Sequence, residues 1–206
     1  MIRAEQSPPV VTEAEPRYPV TVTAPLRHTT AFVGGPTGVW QVVRGEAVRG
    51  PALPPVQRVA VYEGGAPGAA STGGWVLRGV ASYERYVRRE EHEALAARQP
   101  VLGRPSARCA ALIPIAKSAA WWALAQDERR AILEERSHHI VTGVAYLPAI
   151  ARRLYHGHDL GEPFDFLTWF EFAPEHANAF EELVERLRAT EEWTYVEREV
   201  DIRLTR

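Results

Sequence analysis

The clearest hydrophobic pattern in the chain lies over residues 164–172, which read FDFLTWFEF. Bulky side chains occupy every second position, and the intervening positions also hold large groups such as Leu167 and Trp169. Successive side chains of a strand point to opposite faces, so large groups at both sets of positions predict a strand covered on both sides. The preceding run RRLYHGHDL, beyond a Gly-Glu-Pro turn, predicts the other strand of a hairpin.

Helical patterns flank this hairpin. Residues 174–190 carry an apolar stripe at helical spacing, formed by Phe180, Leu183, Val184 and Leu187. Upstream, Ser118 and Asp127 are candidate N-caps of two helices. The second of these runs through ERRAILEERSHHIVTGVAYL and ends before Pro148. The last ten residues, EREVDIRLTR, alternate apolar and charged positions and predict a closing strand.

The first half of the chain predicts short strands and one helix. HTTAFVGG, GVWQVVRGEAV and VQRVAVYEGG are β-rich runs separated by turn residues. WVLRGVAS predicts a strand that leads into a helix over residues 83–98, and RCAALIP predicts a buried returning strand. Residues 1–19 are rich in Pro, Glu and Ala and predict a flexible tail.

Together these elements predict an α+β chain made of two similar units. We expect units over residues 20–112 and 113–206, the first of them degenerate. Two ferredoxin-like halves, or one barrel-like module with a degenerate partner, would each give this order of elements.

Composition excludes several classes of function. The chain has 206 residues, 46% of them hydrophobic and 24% charged, which is typical of a soluble globular protein. A formal net charge of −2 provides no basic surplus for binding nucleic acid. The lone Cys109 excludes an internal disulfide and a Cys-rich zinc or iron–sulfur site. We find no membrane-spanning run and no signal sequence, so we expect a cytoplasmic protein.

Candidate ligand chemistry begins with two adjacent histidines. On a helix, His139 shares a face with Ile132 and Gly143, whereas His138 shares one with Glu134 and other polar residues. His139 should therefore point inward, and Gly143 one turn along leaves room for a planar group. A core histidine bonded to a carbonyl is the alternative interpretation.

The neighbouring basic and aromatic residues leave several alternatives open. Arg152 and Arg153 point to opposite faces of a strand, so one faces inward, toward an anion or a structural glutamate. Trp121 and Trp122 are adjacent on a helix, so at least one belongs to the core or to a pocket wall. Lys117 lies where a strand meets a helix and could contact a carboxylate or remain a surface lysine.

Two glutamates, Glu191 and Glu192, are expected at the C-terminal end of the helix over residues 174–190. The helix dipole disfavours carboxylates there, and hydrogen bonding to a metal-ligating histidine would be a reason for one of them. The other would face solvent. His156 and His158 have a spacing seen in metal sites, but they flank a turn and we interpret them as structural.

Four segments of the second half make the chain resemble the chlorite dismutase family of haem proteins, specifically its short-chain, dimeric lineage. They are ALIPIAKSAAWWAL, ERSHHIVTGVAYLPAIARRLYH, DFLTWFE and ATEEWTYVE. FVGGPTGVW and LRGVASYERY in the first half match more loosely. The resemblance implies a dimeric α+β barrel with two ferredoxin-like units per subunit. It also implies one haem b in the C-terminal unit, held non-covalently because the chain has no Cys-x-x-Cys-His motif.

The resemblance assigns roles to individual residues. His139 matches the axial ligand of the haem iron, and Arg152 matches the family's distal arginine. Glu192, rather than Glu191, matches the carboxylate that hydrogen-bonds the proximal imidazole. The remaining matches bind the haem propionates or border the haem: Lys117 and Tyr86 for the propionates, Trp121 and Trp122 for the border.

The implied reaction converts chlorite to chloride and O₂, through O–Cl cleavage and O–O bond formation, in a homodimer. One alternative is an enzyme of haem biosynthesis that decarboxylates coproporphyrin haem, with Tyr86 or Tyr146 as a redox tyrosine. Members with that activity carry no arginine at the distal position, so Arg152 favours the chlorite reaction. The other alternative is a non-enzymatic haem-binding or stress protein with the same barrel.

Overall fold

The computed structural model describes residues 29–65, 74–81 and 86–206. The flexible tail expected over residues 1–19 lies outside the described residues. So do the first three residues of the helix expected over residues 83–98.

The described residues form eight strands and a set of helices. The strands are β1 (Thr29–Gly35), β2 (Trp40–Arg49), β3 (Arg58–Glu63), β4 (Trp75–Ala81), β5 (Cys109–Lys117), β6 (Ile150–His156), β7 (Phe166–Phe172) and β8 (Val196–Thr205). The α-helices are α1 (Arg89–Arg98), α2 (Ala119–Ala123), α3 (Gln126–Arg130), α4 (His139–Ala145) and α5 (Ala177–Arg188). A π-helical turn covers Ala131–Arg136, and 3₁₀ turns cover His158–Leu160, Pro174–His176 and Glu191–Tyr195.

The strands close into an antiparallel barrel in the order β1-β3-β2-β8-β5-β7-β6-β4. Each half of the chain contributes its four strands in the same spatial order, fourth, first, third, second. The α+β barrel of two ferredoxin-like units is therefore confirmed. The expected boundary between residues 112 and 113 falls inside β5, the first strand of the second half.

The core has two layers because the strands of the second half are covered on both faces. Leu167 and Trp169 of β7 point into the barrel, where they pack with residues of the other strands. Phe170 and Phe172 point outward and pack against Phe180 of α5, with ring centroids 5.1 and 4.5 Å apart. The apolar stripe predicted for this helix is buried as expected. Burying each such side chain stabilises the fold by about 1.5–3 kcal/mol.

The long helix predicted before Pro148 is broken, which corrects the sequence interpretation. α3 begins at Gln126 after Ala125, so Asp127 lies inside the helix and is not its N-cap. A π-helical turn follows, and the helix ends at Ser137. His138 then adopts a left-handed conformation with φ 51°, and α4 begins at His139. Among the described residues, no helix has both the length and the apolar character needed to cross a membrane.

Candidate functional site

A cavity of about 330 Å³ lies between the outer face of the barrel and the helices that cover it. Its floor is formed by β5, β6 and β7, and its other walls by α1, α4, α5 and the 3₁₀ turn Glu191–Tyr195. Apolar side chains dominate the wall: Ile113, Ile115, Ile140, Phe170, Val184 and Leu187. The few polar groups in it include His139, Arg152, Lys117 and Glu192. These four residues, all predicted from the sequence, thus meet at one apolar cavity.

The break before α4 determines which histidine reaches this cavity. His139 is the first residue of α4 and lines the cavity, whereas His138 is exposed in the left-handed linker. Gly143 lies one turn along α4 from His139, on the same face. The predicted shared face with Ile132 spans the helix break, so only the relation to Gly143 belongs to one continuous helix.

His139, Glu192 and Lys117 form a chain of charged and polar groups. The Nδ1 atom of His139 lies 2.6 Å from Oε2 of Glu192, and Nζ of Lys117 lies 2.9 Å from Oε1 of the same carboxylate. Lys117 also donates to the Glu192 carbonyl at 3.2 Å. The side chains of Lys117 and Glu192 are only 3% and 6% exposed. The pair is therefore buried away from water, and each charge is stabilised by the other.

The ionisation of Glu192 fixes the tautomer of His139. Burial alone would raise the pKa of Glu192, but the charges and hydrogen bonds of His139 and Lys117 outweigh it and lower the pKa to about 2. An ionised carboxylate can only accept hydrogen bonds, so Nδ1 of His139 donates the proton. In the neutral imidazole, Nε2 then carries the lone pair, which is the arrangement of a metal ligand.

Glu192 does not lie at the end of the long helix, which corrects a premise of the sequence analysis. α5 ends at Arg188, and Glu191 and Glu192 open a separate 3₁₀ turn, Glu191–Tyr195. The helix dipole therefore gives no argument against a carboxylate here. Glu192 is buried and its backbone N–H donates to Oγ of Ser137 at 3.0 Å, whereas Glu191 is exposed.

Arg152 lies on the face of β6 that looks toward the helices. Its strand partner is Phe170, and both residues line the cavity. The guanidinium reaches the backbone of α4, since a Cβ atom added to Gly143 would lie 2.7 Å from Nη1 of Arg152. Arg153 alternates to the other face and pairs with Glu63 at 3.9 Å. Gln99 donates to the Arg152 carbonyl at 2.5 Å and ties α1 to this strand.

The remaining predicted residues divide into two groups. Tyr86 lines the cavity, and its hydroxyl accepts from Arg129 at 3.3 Å. Trp121 also lines it, with Nζ of Lys117 4.7 Å above its ring. Trp122 is absent from the described residues that line the cavity. It stacks instead on His158 with ring centroids 3.7 Å apart.

The environments of several residues in this region differ from those that the sequence predicted, or were not predicted at all. Glu134 was assigned to a polar, solvent-like face, but it is buried and accepts from the backbone of α4. Asp165 is buried and accepts from the Lys117 backbone at 2.6 Å, from Trp122 and from His158. His156, interpreted as structural, lines the cavity on the same face of β6 as Arg152. No local pattern marks these residues, because their partners lie on other elements.

The cavity fits a haem, the cofactor that the resemblance implies. His139 directs Nδ1 to a carboxylate, which leaves Nε2 available as a ligand, as is usual for a histidine that binds haem iron or another metal. Gly143 leaves the adjacent turn of α4 without a side chain, and the guanidinium of Arg152, the end of a flexible side chain, lies against it. Trp121 carries a buried Nε1–H with no hydrogen-bond partner among the described residues, which suits an acidic group of a bound molecule. The walls around these groups are apolar.

Replacing Lys117 with methionine is expected to destabilise the haem-free protein by about 3 kcal/mol, because one partner of a buried ion pair is removed. Urea unfolding measures this change. The Lys117→Met/Glu192→Gln double variant, which removes both charges, should recover part of the loss. A Lys117→Met variant within about 0.5 kcal/mol of the parent would show that the pair does not stabilise the fold.

Comparison with known proteins agrees with the fold. The family model described as chlorite dismutase matches residues 57–206. The solved structure of a dimeric chlorite dismutase from Nitrobacter winogradskyi is 59% identical, with a TM-score of 0.80; the match covers 86% of this chain and 99% of that one. A chlorite dismutase variant from Candidatus Nitrospira defluvii shares the fold at 21% identity, with a TM-score of 0.62 and coverage of 86% and 90%.

The match to a curated relative is shorter. Chlorite dismutase from Ideonella dechloratans is 38% identical over 64 residues, which span 31% of this chain and 21% of that protein. The family model, by contrast, extends from β3 to the end of β8 and includes the whole cavity-forming half. The chain therefore belongs to the chlorite dismutase family.

Proposed function

We propose that the protein is a haem b enzyme that converts chlorite to chloride and O₂. The observation that carries the proposal is the meeting of the His139–Glu192 pair and Arg152 at one apolar cavity. In this proposal His139 is the axial ligand, and Glu192 accepts the proton of its other nitrogen. Trp121 and Tyr86 line the same cavity and would help to hold the cofactor there. When bound, the haem iron supplies the redox centre for O–Cl cleavage and O–O bond formation.

The protein groups have distinct tasks in this proposal. Glu192 increases the electron donation of His139 by accepting its Nδ1 proton, and Lys117 keeps the carboxylate ionised and in place. Arg152 is always charged and offers several donors in a fixed fork, so it can hold an anion while bonds rearrange. The apolar walls exclude water and retain reactive fragments. Chlorite and chloride each carry one negative charge, so no general base is required.

Lys117 has a different role in this proposal from the one that the resemblance implies. Its ammonium contacts Glu192 at 2.9 Å and is almost completely buried, which supports a role in holding the proximal carboxylate. Binding of a haem propionate by Lys117 stays a prediction, as does the bordering role of Trp122.

A homodimer is part of the proposal. The protein from Nitrobacter winogradskyi, which is 59% identical, is described as a dimeric chlorite dismutase. Light scattering coupled to size-exclusion chromatography measures the mass directly, and a subunit of 23.0 kDa gives a clear difference between monomer and dimer.

The experiment that tests the function is haem reconstitution followed by an oxygen-electrode trace with chlorite. We expect a Soret band and release of one O₂ per chlorite consumed. Without a Soret band the protein is a different kind of barrel, and with a band but no O₂ the chlorite reaction is wrong. Incubation with coproporphyrin haem, followed by mass spectrometry, separates the decarboxylase alternative.

Replacing Gly143 with leucine is expected to lower haem affinity by at least about tenfold while the haem-free protein stays folded. The added side chain would extend from α4 into the space beside His139, where even a Cβ atom meets the Arg152 guanidinium at 2.7 Å. Val141→Leu, on the exposed side of the same helix, is the matched control. Absorbance titration with haem measures both, and equal affinities would contradict the assignment of this cavity. The magnitude follows from the effect of perturbing the surroundings of a metal ligand.

A further inference from the structure

The buried carboxylate of Glu134 links the two helical segments on either side of the break before α4. Glu134 is 5% exposed and lies in the π-helical turn that precedes the break. Its Oε2 accepts from the Ile140 backbone N–H at 2.6 Å, and its Oε1 accepts from that of Val141 at 3.3 Å. The carboxylate therefore bridges the break and caps α4 from outside the helix.

This cap replaces one that the local sequence does not supply. The residue at the N-cap position, His138, makes no side-chain hydrogen bond to the helix, and the first turn of α4 has no acidic residue. His138 also has φ 51°, a conformation that residues other than glycine rarely adopt and that costs energy unless neighbouring contacts hold it. The backbone N–H of His138 donates to the Glu134 carbonyl at 2.9 Å. Glu134 therefore contacts the left-handed residue itself through its backbone and the residues that follow it through its side chain.

The bridged segment contains His139. The N–H that Glu134 accepts at 2.6 Å belongs to the peptide between His139 and Ile140, so the carboxylate fixes the backbone that carries the imidazole. On the other side, Oγ of Ser137 accepts from the Glu192 backbone at 3.0 Å and fixes the partner of the imidazole. The direction of Nε2 into the cavity then depends on two rotatable side-chain bonds and on this anchored backbone.

We propose that Glu134 is a positioning residue for His139, which aims the imidazole at the haem iron by holding the left-handed break and the start of α4. The inference rests on the proposed function, because the ligand role of His139 belongs to it. Glu134 is not among the described residues that line the cavity, and its carboxylate accepts from the backbone N–H groups of Ile140 and Val141, so its effect on His139 passes through the backbone.

The test compares Glu134→Gln with Glu135→Gln in the full chain reconstituted with haem. Glu135 is the next residue, and its half-exposed carboxylate pairs with Arg88 at 3.0 Å, so it controls for loss of one negative charge. Glutamine keeps one acceptor but presents an NH₂ group to the second backbone N–H. We expect Glu134→Gln to weaken haem binding about tenfold and to broaden and shift the iron–imidazole stretching band in resonance Raman spectra. Glu135→Gln should change neither.

A second variant separates positioning from general stability. Glycine adopts the left-handed conformation without steric cost, so His138→Gly should restore stability to the Glu134→Gln protein. We expect the altered iron–imidazole band to persist in the double variant. A band that recovers together with the unfolding midpoint would make Glu134 a purely structural cap and overturn the proposal.

The outcomes also distinguish this proposal from the function on which it rests. If the parent protein has no iron–imidazole band, His139 is not the ligand and the proposed function fails with it. If the parent has the band and Glu134→Gln leaves it unchanged, only the positioning role is wrong. Hydrogen exchange of the Ile140 and Val141 amides in haem-free protein provides an independent readout, and we expect faster exchange in Glu134→Gln.

Discussion

Replacing Arg152 with alanine is expected to lower the rate of O₂ release from chlorite by about 100-fold while leaving haem bound. Removing a single charged donor from a site that stabilises an anion typically has an effect of this size or larger. Arg152 is on the cavity face of β6 and its guanidinium extends as far as Gly143 of α4, so it can contact a small anion inside the cavity. An oxygen electrode measures the rate, and the Soret absorbance measures bound haem during turnover.

The loss of the arginine should also change the products. Without a cation to hold the fragments, we expect more hypochlorite to escape, which a chlorination-sensitive dye detects, and faster bleaching of the haem. Arg152→Lys keeps the charge but loses the fork of donors, and we expect an intermediate rate.

Arg153→Ala is the matched control for this prediction. Arg153 also contributes to the cavity wall, but it projects from the opposite face of the strand and pairs with Glu63 at 3.9 Å. Its truncation should therefore reduce the rate much less than that of Arg152. Equal losses in the two variants would mean that the net positive charge near the cavity matters, and not the position of Arg152.

The sequence predicts the parts of the fold that depend on short-range patterns. Large groups at both sets of positions in β7 indicated a strand covered on both faces, and the structure has the barrel core on one face and α5 on the other. The apolar stripe of α5 and the apolar positions of β8 could also be predicted, because the buried face of a helix or strand recurs every two to four residues along the sequence. The closure of eight strands into one barrel has no such local signal, and the resemblance supplied it.

The broken helix shows where local patterns fail. Residues 126–145 carry no Gly or Pro before Gly143, so nothing in the sequence indicated that the helix would end at Ser137 and restart after a left-handed His138. The carboxylate of Glu134 forms hydrogen bonds across the break. An acidic residue on a helix is normally exposed, and its burial could be recognised only once its backbone partners were known.

The charged residues of β8 also have long-range partners that a local pattern does not reveal. The alternation placed Val200, Ile202 and Leu204 on one face, and these pack inside the barrel. The charges between them do not face solvent: Glu199 and Asp201 are buried under α5, where both accept from Arg188, at 2.5 and 2.8 Å. An ion-pair network between strand and helix looks in the sequence like an ordinary solvated face, because the pairing is long-range.

Replacing His139 with alanine is expected to abolish the axial iron–imidazole bond and to lower haem affinity by at least about 100-fold. Perturbing only an outer partner of a ligand costs about 10–100-fold, so removal of the ligand itself should cost no less. His138→Ala is the control, because His138 is adjacent but exposed, and it should keep the parent spectrum. Absorbance and resonance Raman spectra of the ferric and ferrous forms measure the change.

Addition of free imidazole makes this test sharper. The alanine variant keeps Glu192, whose buried carboxylate still accepts from Lys117 and whose backbone N–H still donates to Ser137, so imidazole that enters the cavity can rebuild the lost hydrogen bond and the lost ligand together. We expect the iron–imidazole band to return with imidazole in His139→Ala and to return much less in His139→Ala/Glu192→Gln. An unaltered ferric spectrum and reduction potential in His139→Ala, with a changed spectrum in His138→Ala, would make His138 the ligand and contradict the geometry of the cavity.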